Sequence, residues 1–171
     1  MRKGYVQVYT GNGKGKTTAA LGLALRAAGA GLKVFIGQFI KGQRCSEHLM
    51  LERLGDMITY RQYGRGLIRN TPTEEDIAGA REGMREIGDA ARSGAYDVVI
   101  LDEINVAVRM GLISVDEVLG LMRGKGAAVE LVLTGRNAPD LVMAQADLVT
   151  EMREIKHYYK KGVRARRGIE K

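Results

Sequence analysis

Residues 11–18, GNGKGKTT, concentrate three glycines, two lysines and two threonines directly after the apolar run YVQVY at residues 5–9. Glycines adopt backbone conformations that are closed to other residues, so successive N–H groups can point inward at an anion. A helix that begins after such a turn adds its partial positive charge. Lys16 would place an ammonium group on the outer phosphates, and Thr17 would place a hydroxyl on Mg²⁺. The octet therefore predicts a nucleotide phosphate site.

The match to the phosphate-binding loop pattern is strong but incomplete. That pattern is G-x-x-x-x-G-K-[ST], placed between a strand and a helix. Gly15, Lys16 and Thr17 supply its second half, whereas Thr10 stands at the first position in place of glycine. The flanking elements fit, because an apolar strand-like run precedes the octet and an Ala/Leu-rich stretch follows it.

A pair of acidic residues forms the second anchor. The apolar run VVILDE at residues 98–103 ends in Asp102 and Glu103. Carboxylates at the end of a buried strand suit a hard cation beside a phosphate loop. The spacing alone does not decide which carboxylate contacts the metal. It also leaves three reactions open: ATP hydrolysis, phosphorylation of a small molecule, and attack elsewhere on ATP.

Apolar β-branched runs alternate with helix-like stretches along the chain. Residues 16–31 and 71–94 have helical composition, and Ser114 and Glu117 have the spacing of a capping box. The predicted strands are 5–9, 33–39, 97–103, 129–135 and 146–152. The alternation predicts an α/β fold: a P-loop three-layer sandwich with a mostly parallel central sheet covered by helices on both faces. Residues 97–103 are nearly all apolar and are expected in the centre of that sheet.

Composition limits the broad class of the protein. The 171 residues are 45% hydrophobic and contain no linker-like tract, which predicts one domain over residues 1–171. No run approaches the roughly 18 apolar residues of a membrane span, and no signal peptide is recognisable. The single cysteine, Cys45, fits a reducing cytoplasm. The net charge of +7 lies mainly in the basic C-terminal segment 153–171, which has eight Lys/Arg against two Glu.

Six blocks of sequence together resemble one family. They are YTGNGKGKTTAALGLALRAAG (9–29), GQFIKG (37–42), VVILDEIN (98–105), LTGRNAPDLV (133–142), ADLVTEMREIKH (146–157) and GVRARRGIE (162–170). Their order and spacing resemble those of the P-loop type cob(I)alamin (corrinoid) adenosyltransferases across nearly the whole chain. The resemblance implies that reduced cobalt attacks the 5′-carbon of ATP, forming a Co–C bond and releasing triphosphate. It further implies Mg²⁺ as cofactor, ATP as co-substrate, a reducing flavoprotein as partner and a homodimer.

The resemblance also implies roles for individual residues. Glu103 matches the family's Mg²⁺ ligand, together with Thr17. Arg136 matches an arginine close to the phosphates, so that Lys16 and Arg136 would stabilise the departing triphosphate. Arg26 matches an arginine near the nucleotide. The residues that fall on the nucleotide loop are Asn12, Gly13, Lys14, Gly15, Lys16, Thr17 and Thr18.

One segment departs from the family pattern. Relatives often carry an aromatic GFTW-like stretch over the corrinoid, whereas this chain has GRGLIRN at residues 64–70. We expect Leu67 and Ile68 to pack on the corrin, with Arg65 or Arg69 meeting a peripheral amide or carboxylate. A different corrinoid, or weaker displacement of its lower ligand, is the alternative interpretation.

The histidines and the basic tail leave further alternatives. His48 is expected at an ordinary helix position, and His157 either lies near substrate or structures the tail. The tail's Lys/Arg side chains either hold triphosphate or are solvated. A kinase or ATPase would release ADP instead of triphosphate, and a nucleic-acid-binding P-loop module would use the tail for phosphate contacts. We expect no specific nucleic-acid partner and no membrane association.

Overall fold

The central sheet of this protein, described from a computed structural model, is parallel throughout. The structure describes residues 3–66, 68 and 71–170. The six strands are β1 Val6–Thr10, β2 Val34–Gln38, β3 Ile58–Gln62, β4 Val98–Asp102, β5 Glu130–Thr134 and β6 Leu148–Glu151. Their order in the sheet is β3-β2-β4-β5-β1-β6. The predicted P-loop α/β fold is therefore confirmed, with the apolar run at 97–103 inside the sheet as β4.

Helices cover both faces of the sheet. The α-helices are α1 Lys16–Gly29, α2 Ser46–Arg53, α3 Glu74–Ser93, α4 Ile104–Arg109, α5 Val115–Gly124 and α6 Asp140–Gln145, and a 3₁₀ turn spans Tyr158–Lys161. Side chains alternate along β4, so Val98 and Ile100 pack with α1 while Val99 and Leu101 pack on the opposite face. Both faces of β4 are buried, which explains its continuous apolar sequence.

Side-chain capping boxes begin two of the helices, and the one at Ser114 and Glu117 was predicted from the sequence. Thr73 and Asp76 form a reciprocal capping box at the start of α3, and Ser114 and Glu117 form another at the start of α5. Gly94 ends α3 in the left-handed conformation, with φ of 73°. None of the described helices combines the length and apolarity that a membrane crossing requires.

The sequence interpretation missed β3. Its residues, ITYRQ, form an edge strand whose only neighbour is β2. Ile58 is buried, whereas Arg61 is exposed, so the run lacks the apolar character of the other strands. β3 matters for function because the side chains of Tyr60 and Gln62 both contact Gln38, the last residue of β2.

Candidate active site

The candidate site lies at the carboxyl edge of the sheet, where parallel strands end side by side. Asp102 closes β4, Thr134 closes β5, and Thr10 leads from β1 into the glycine-rich loop. A cleft of about 650 Å³ opens at this edge. The predicted site residues that line it are Gly13, Lys14, Gly15, Lys16, Thr17, Thr18, Glu103 and Arg136. Ligands of open α/β sheets bind at this position.

The loop requires glycine at Gly15 and Gly13 for different reasons. Gly15 precedes α1 with φ of 121°, a conformation that side chains rarely adopt. Gly13 donates its N–H to the Met152 carbonyl at 2.6 Å, and a Cβ on Gly13 would lie 2.7 Å from that oxygen. No side chain caps the start of α1. The first N–H groups of this 14-residue helix therefore face the cleft region as anion donors.

Lys16 is held inside the loop. Its side chain is buried, and Nζ donates to the Gly11 and Gly13 carbonyls at 2.8 and 2.6 Å. Burial, followed by the positive charge of Arg136, lowers the pKa of Lys16. Lys16 and Arg136 thus bring two positive charges to the lining of the cleft. That arrangement favours a polyphosphate as the ligand.

Asp102 is the buried centre of a hydrogen-bond cluster. Its Oδ1 accepts from Thr17 Oγ1 at 2.8 Å and from Thr134 Oγ1 at 2.7 Å, and its Oδ2 accepts from Gln38 Nε2 at 2.8 Å. Lys41 Nζ lies 3.9 Å from Oδ2. Both oxygens are therefore occupied by protein donors. Asp102 orients the Thr17 hydroxyl at the floor of the cleft.

Glu103 differs from Asp102 in having no such partners. It lines the cleft in the left-handed conformation with φ of 63°, and its N–H donates to Thr134 Oγ1 at 3.0 Å. Among the described residues, no hydrogen bond or ion pair engages its carboxylate. Burial and the neighbouring Asp102 raise the pKa of Glu103. An unpaired carboxylate in strained backbone is a common feature of functional sites.

The basic C-terminal segment folds against the loop. Lys14 Nζ lies 3.0 Å from Glu170 Oε1 and 3.2 Å from the Tyr158 hydroxyl. Glu170 also accepts from the Arg166 backbone N–H at 2.8 Å, and it contributes to the cleft wall. Lys14 thus joins the loop to the tail. His157 lines the same cleft, and its Nδ1 accepts from the Tyr159 N–H at 3.1 Å.

Some predicted site residues are not brought into the cleft. Asn12 and Arg26 are exposed and do not line it; Arg26 lies near the end of α1, ten residues beyond Lys16. Ile68 is half-buried and packs against the hydrophobic core, and its expected corrin contact stays a prediction. Arg65 forms an ion pair with Glu75. The predicted contacts of Leu67 and Arg69 lie outside the described residues.

Sequence reasoning gave no role to several side chains that shape the site. Gln38 and Thr134 hold Asp102, and Lys41 lines the cleft beside them. Helix α2 forms one wall through Ser46, Glu47 and Met50. Gln38 and Thr134 close β2 and β5, and Lys41 follows β2 by three residues, so their positions at or just beyond strand ends were the available signal.

Comparisons with known proteins show the family of this chain. A sequence profile described as "ATP:corrinoid adenosyltransferase BtuR/CobO/CobP" matches residues 2–170. The chain is 35% identical over 170 residues to a corrinoid adenosyltransferase of Pseudomonas aeruginosa, covering 98% of this chain and 84% of that protein. It is 37% identical over 172 residues to one from Sinorhizobium sp, covering 98% and 80%. A third, from Escherichia coli K12, is 35% identical over 170 residues, covering 98% and 86%. The chain belongs to the ATP:corrinoid adenosyltransferase family.

Proposed function

We propose that this protein transfers the 5′-deoxyadenosyl group of ATP to the reduced cobalt of a corrinoid and releases triphosphate. The observation that carries the proposal is the cleft in which Lys16, Arg136 and the uncapped start of α1 converge. Family membership then selects adenosyl transfer from the reactions that a phosphate site permits. The product is adenosylcobalamin or an adenosylated precursor.

The reaction is a displacement at carbon. Two electrons of cob(I)alamin form the new bond between cobalt and C5′, and the bond between C5′ and O5′ breaks with its electron pair leaving on triphosphate. Negative charge therefore grows on the leaving group. Lys16, Arg136 and the N–H groups of the loop are placed to stabilise that charge. No proton is removed from the nucleophile, so the site needs no general base. Catalysis consists of positioning and charge stabilisation.

Hard oxygen donors at the floor of the cleft fit a Mg²⁺ ion. The Thr17 hydroxyl and the unpaired Glu103 carboxylate would hold the ion, and Asp102 would orient Thr17 from behind. Mg²⁺ binds proteins through one or two carboxylates together with substrate phosphates, which matches this donor set. A cation would also offset the cost of burying Glu103 charged. When bound, the ion supplies charge neutralisation on the triphosphate.

The corrinoid would approach from the open side of the cleft. Met50 of α2 and Ile169 of the C-terminal segment are exposed apolar side chains of the cleft wall that could contact the corrinoid. Leu67 and Ile68 keep their proposed corrin contacts, and Ile68 also packs against the hydrophobic core. Replacing Met50 with alanine should raise the corrinoid KM more than the KM for ATP. Equal changes in the two KM values would contradict the proposed contact between Met50 and the corrinoid.

The proposed partners follow from family membership. A flavoprotein would supply the electron that generates cob(I)alamin, and a second copy of this protein would complete a homodimer. The flavoprotein and the homodimer would operate in the cytoplasm. Val149 on edge strand β6 and Leu141 on α6 are exposed, in keeping with a covered surface. Sedimentation of the purified chain tests the homodimer. A monomer at micromolar concentration would contradict it.

An anaerobic assay tests the reaction. Enzyme, Mg²⁺-ATP and chemically reduced cob(I)alamin are mixed while the corrinoid spectrum is recorded. We expect the cob(I) bands to disappear as light-sensitive adenosylcobalamin forms. The variant Lys16→Met should lose most of this activity while Lys33→Met, an exposed lysine outside the cleft, should retain it. ATP turnover to ADP without a Co–C bond would favour a kinase or ATPase instead.

A further inference from the structure

A chain of polar side chains runs beneath the cleft from helix α2 to the phosphate loop. His48 Nε2 lies 2.8 Å from the Tyr60 hydroxyl, which lies 2.8 Å from Gln38 Oε1. Gln38 Nε2 lies 2.8 Å from Asp102 Oδ2, and the other Asp102 oxygen accepts from Thr17. His48, Gln38 and Asp102 are at most 3% exposed. These hydrogen-bonded side chains therefore link three strands and two helices in an environment shielded from water.

The direction of every hydrogen bond between His48 and Asp102 is fixed by the groups at the two ends of this series of side chains. The Asp102 carboxylate only accepts, so the Gln38 amide must turn its nitrogen toward Asp102 and its oxygen toward Tyr60. At the other end, the Cys45 backbone N–H donates to His48 Nδ1 at 3.0 Å. A neutral His48 then carries its proton on Nε2 and donates to the Tyr60 oxygen.

The surroundings support the neutral state of His48. Burial lowers the pKa of this histidine, and its ring stacks on Tyr60 with centroids 4.6 Å apart. Burial also raises the pKa of Tyr60, so its hydroxyl keeps its proton. All donors consequently point toward Asp102. Hydrogen bonds aligned in one direction polarise one another in a low-dielectric interior.

We propose that His48, Tyr60 and Gln38 are positioning residues that hold the Asp102 carboxylate in one orientation. Through Asp102 they fix the Thr17 hydroxyl that would meet Mg²⁺-ATP, a role that rests on the function proposed above. The same helix that carries His48 places Glu47 and Met50 in the cleft wall. The cleft wall and the phosphate loop are thereby tied to one another through the sheet.

The variant Tyr60→Phe tests this role. It removes one hydroxyl from the middle of the chain and keeps the aromatic ring against His48. The dissociation constant of ATP is measured by calorimetry with Mg²⁺ and again in EDTA, and the ratio of the two constants gives the gain due to Mg²⁺. We expect that ratio to fall by less than the roughly tenfold cost of losing a direct partner of a metal ligand, because Tyr60 acts on Thr17 through Gln38 and Asp102.

Tyr96→Phe is the matched control. The Tyr96 hydroxyl donates to Thr59 Oγ1 at 3.0 Å, is likewise half-buried, and does not line the cleft. A merely structural loss of one tyrosine hydroxyl would affect both variants alike. An unchanged ratio for Tyr96→Phe and a reduced one for Tyr60→Phe support the proposal. The same ratio for both variants, or a ratio of about one for the unmodified protein, overturns it.

A second measurement applies if Tyr60→Phe does not fold. Nitrogen-15 NMR of the unmodified protein distinguishes histidine tautomers, and His48 and His157 are the only two histidines in the sequence. The variant His157→Gln leaves the His48 signals alone in the spectrum. A neutral Nε2–H tautomer is expected, and an Nδ1–H tautomer or a charged ring at neutral pH would overturn the proposal. Neither measurement uses a corrinoid, so failure of adenosyl transfer would be seen separately.

Discussion

The most informative stability test replaces Thr134 with valine. Thr134 is fully buried, donates to Asp102 Oδ1 at 2.7 Å and accepts the Glu103 N–H at 3.0 Å. Valine has the same branched shape and suits a strand end, so packing is retained. Both hydrogen bonds are lost together. The substitution therefore isolates the contribution of one hydroxyl to the floor of the cleft.

The magnitude follows from the two bonds. A buried N–H without an acceptor costs about 1–3 kcal/mol, and a lost bond to a carboxylate costs about 1.5–3 kcal/mol. Thr17 and Gln38 still donate to Asp102, and the added methyl contributes about 0.8 kcal/mol of apolar burial. The net destabilisation is therefore about 3 kcal/mol. For a chain of this size, that lowers Tm by about 6–12 °C.

Thermal and urea unfolding followed by circular dichroism measure this effect. The control is Thr59→Val, because the half-buried Thr59 hydroxyl accepts one bond, from Tyr96, at 3.0 Å. We expect the control to lose about 1 kcal/mol or less. If Thr134→Val lost no more stability than Thr59→Val, the hydroxyl of Thr134 would not hold Glu103 and Asp102 as described.

Two further perturbations probe the loop and the acidic pair. Gly13→Ala should abolish ATP binding, because its Cβ would lie 2.7 Å from the Met152 carbonyl oxygen. The control Gly22→Ala, on open helix surface, should stabilise the protein by about 0.5–1 kcal/mol. ATP binding by Gly13→Ala in calorimetry would contradict the packing described for the loop. The raised pKa of Glu103 means that the unfolded chain binds fewer protons than the folded one between the ordinary glutamate value and the raised value. Stability in EDTA should therefore fall as pH rises through that window, and Glu103→Gln should flatten the fall; parallel pH profiles in urea unfolding would count against it.

The fold was predictable wherever a strand is buried on both faces. The all-apolar run that forms β4, Val98–Asp102, needs no tertiary information to be recognised. β3, Ile58–Gln62, was not recognised, because an edge strand with one buried face carries polar residues such as Arg61. The short helix α4, Ile104–Arg109, begins directly after Glu103 without a capping side chain. Such a boundary leaves no local signal.

The candidate site also has a part that the sequence predicts and a part that depends on tertiary structure. The phosphate loop is local in sequence, so residues 11–18 predict it. The partners of Asp102 are set by strand register: Gln38 lies directly opposite Asp102 in the β2–β4 pairing, although they are far apart in the chain. The role of Arg26 stays a prediction, and ten residues of helix place it about 15 Å from Lys16.

The phosphate product of a single turnover tests the proposed chemistry most directly. Enzyme is mixed anaerobically with excess Mg²⁺-ATP and a limiting amount of cob(I)alamin, and phosphorus-31 NMR identifies the products. Adenosyl transfer predicts one triphosphate for each adenosylcobalamin, because C5′–O5′ is the bond that breaks. ADP and phosphate, formed without a Co–C bond, would show that the cleft at Lys16 and Arg136 serves cleavage at phosphorus instead.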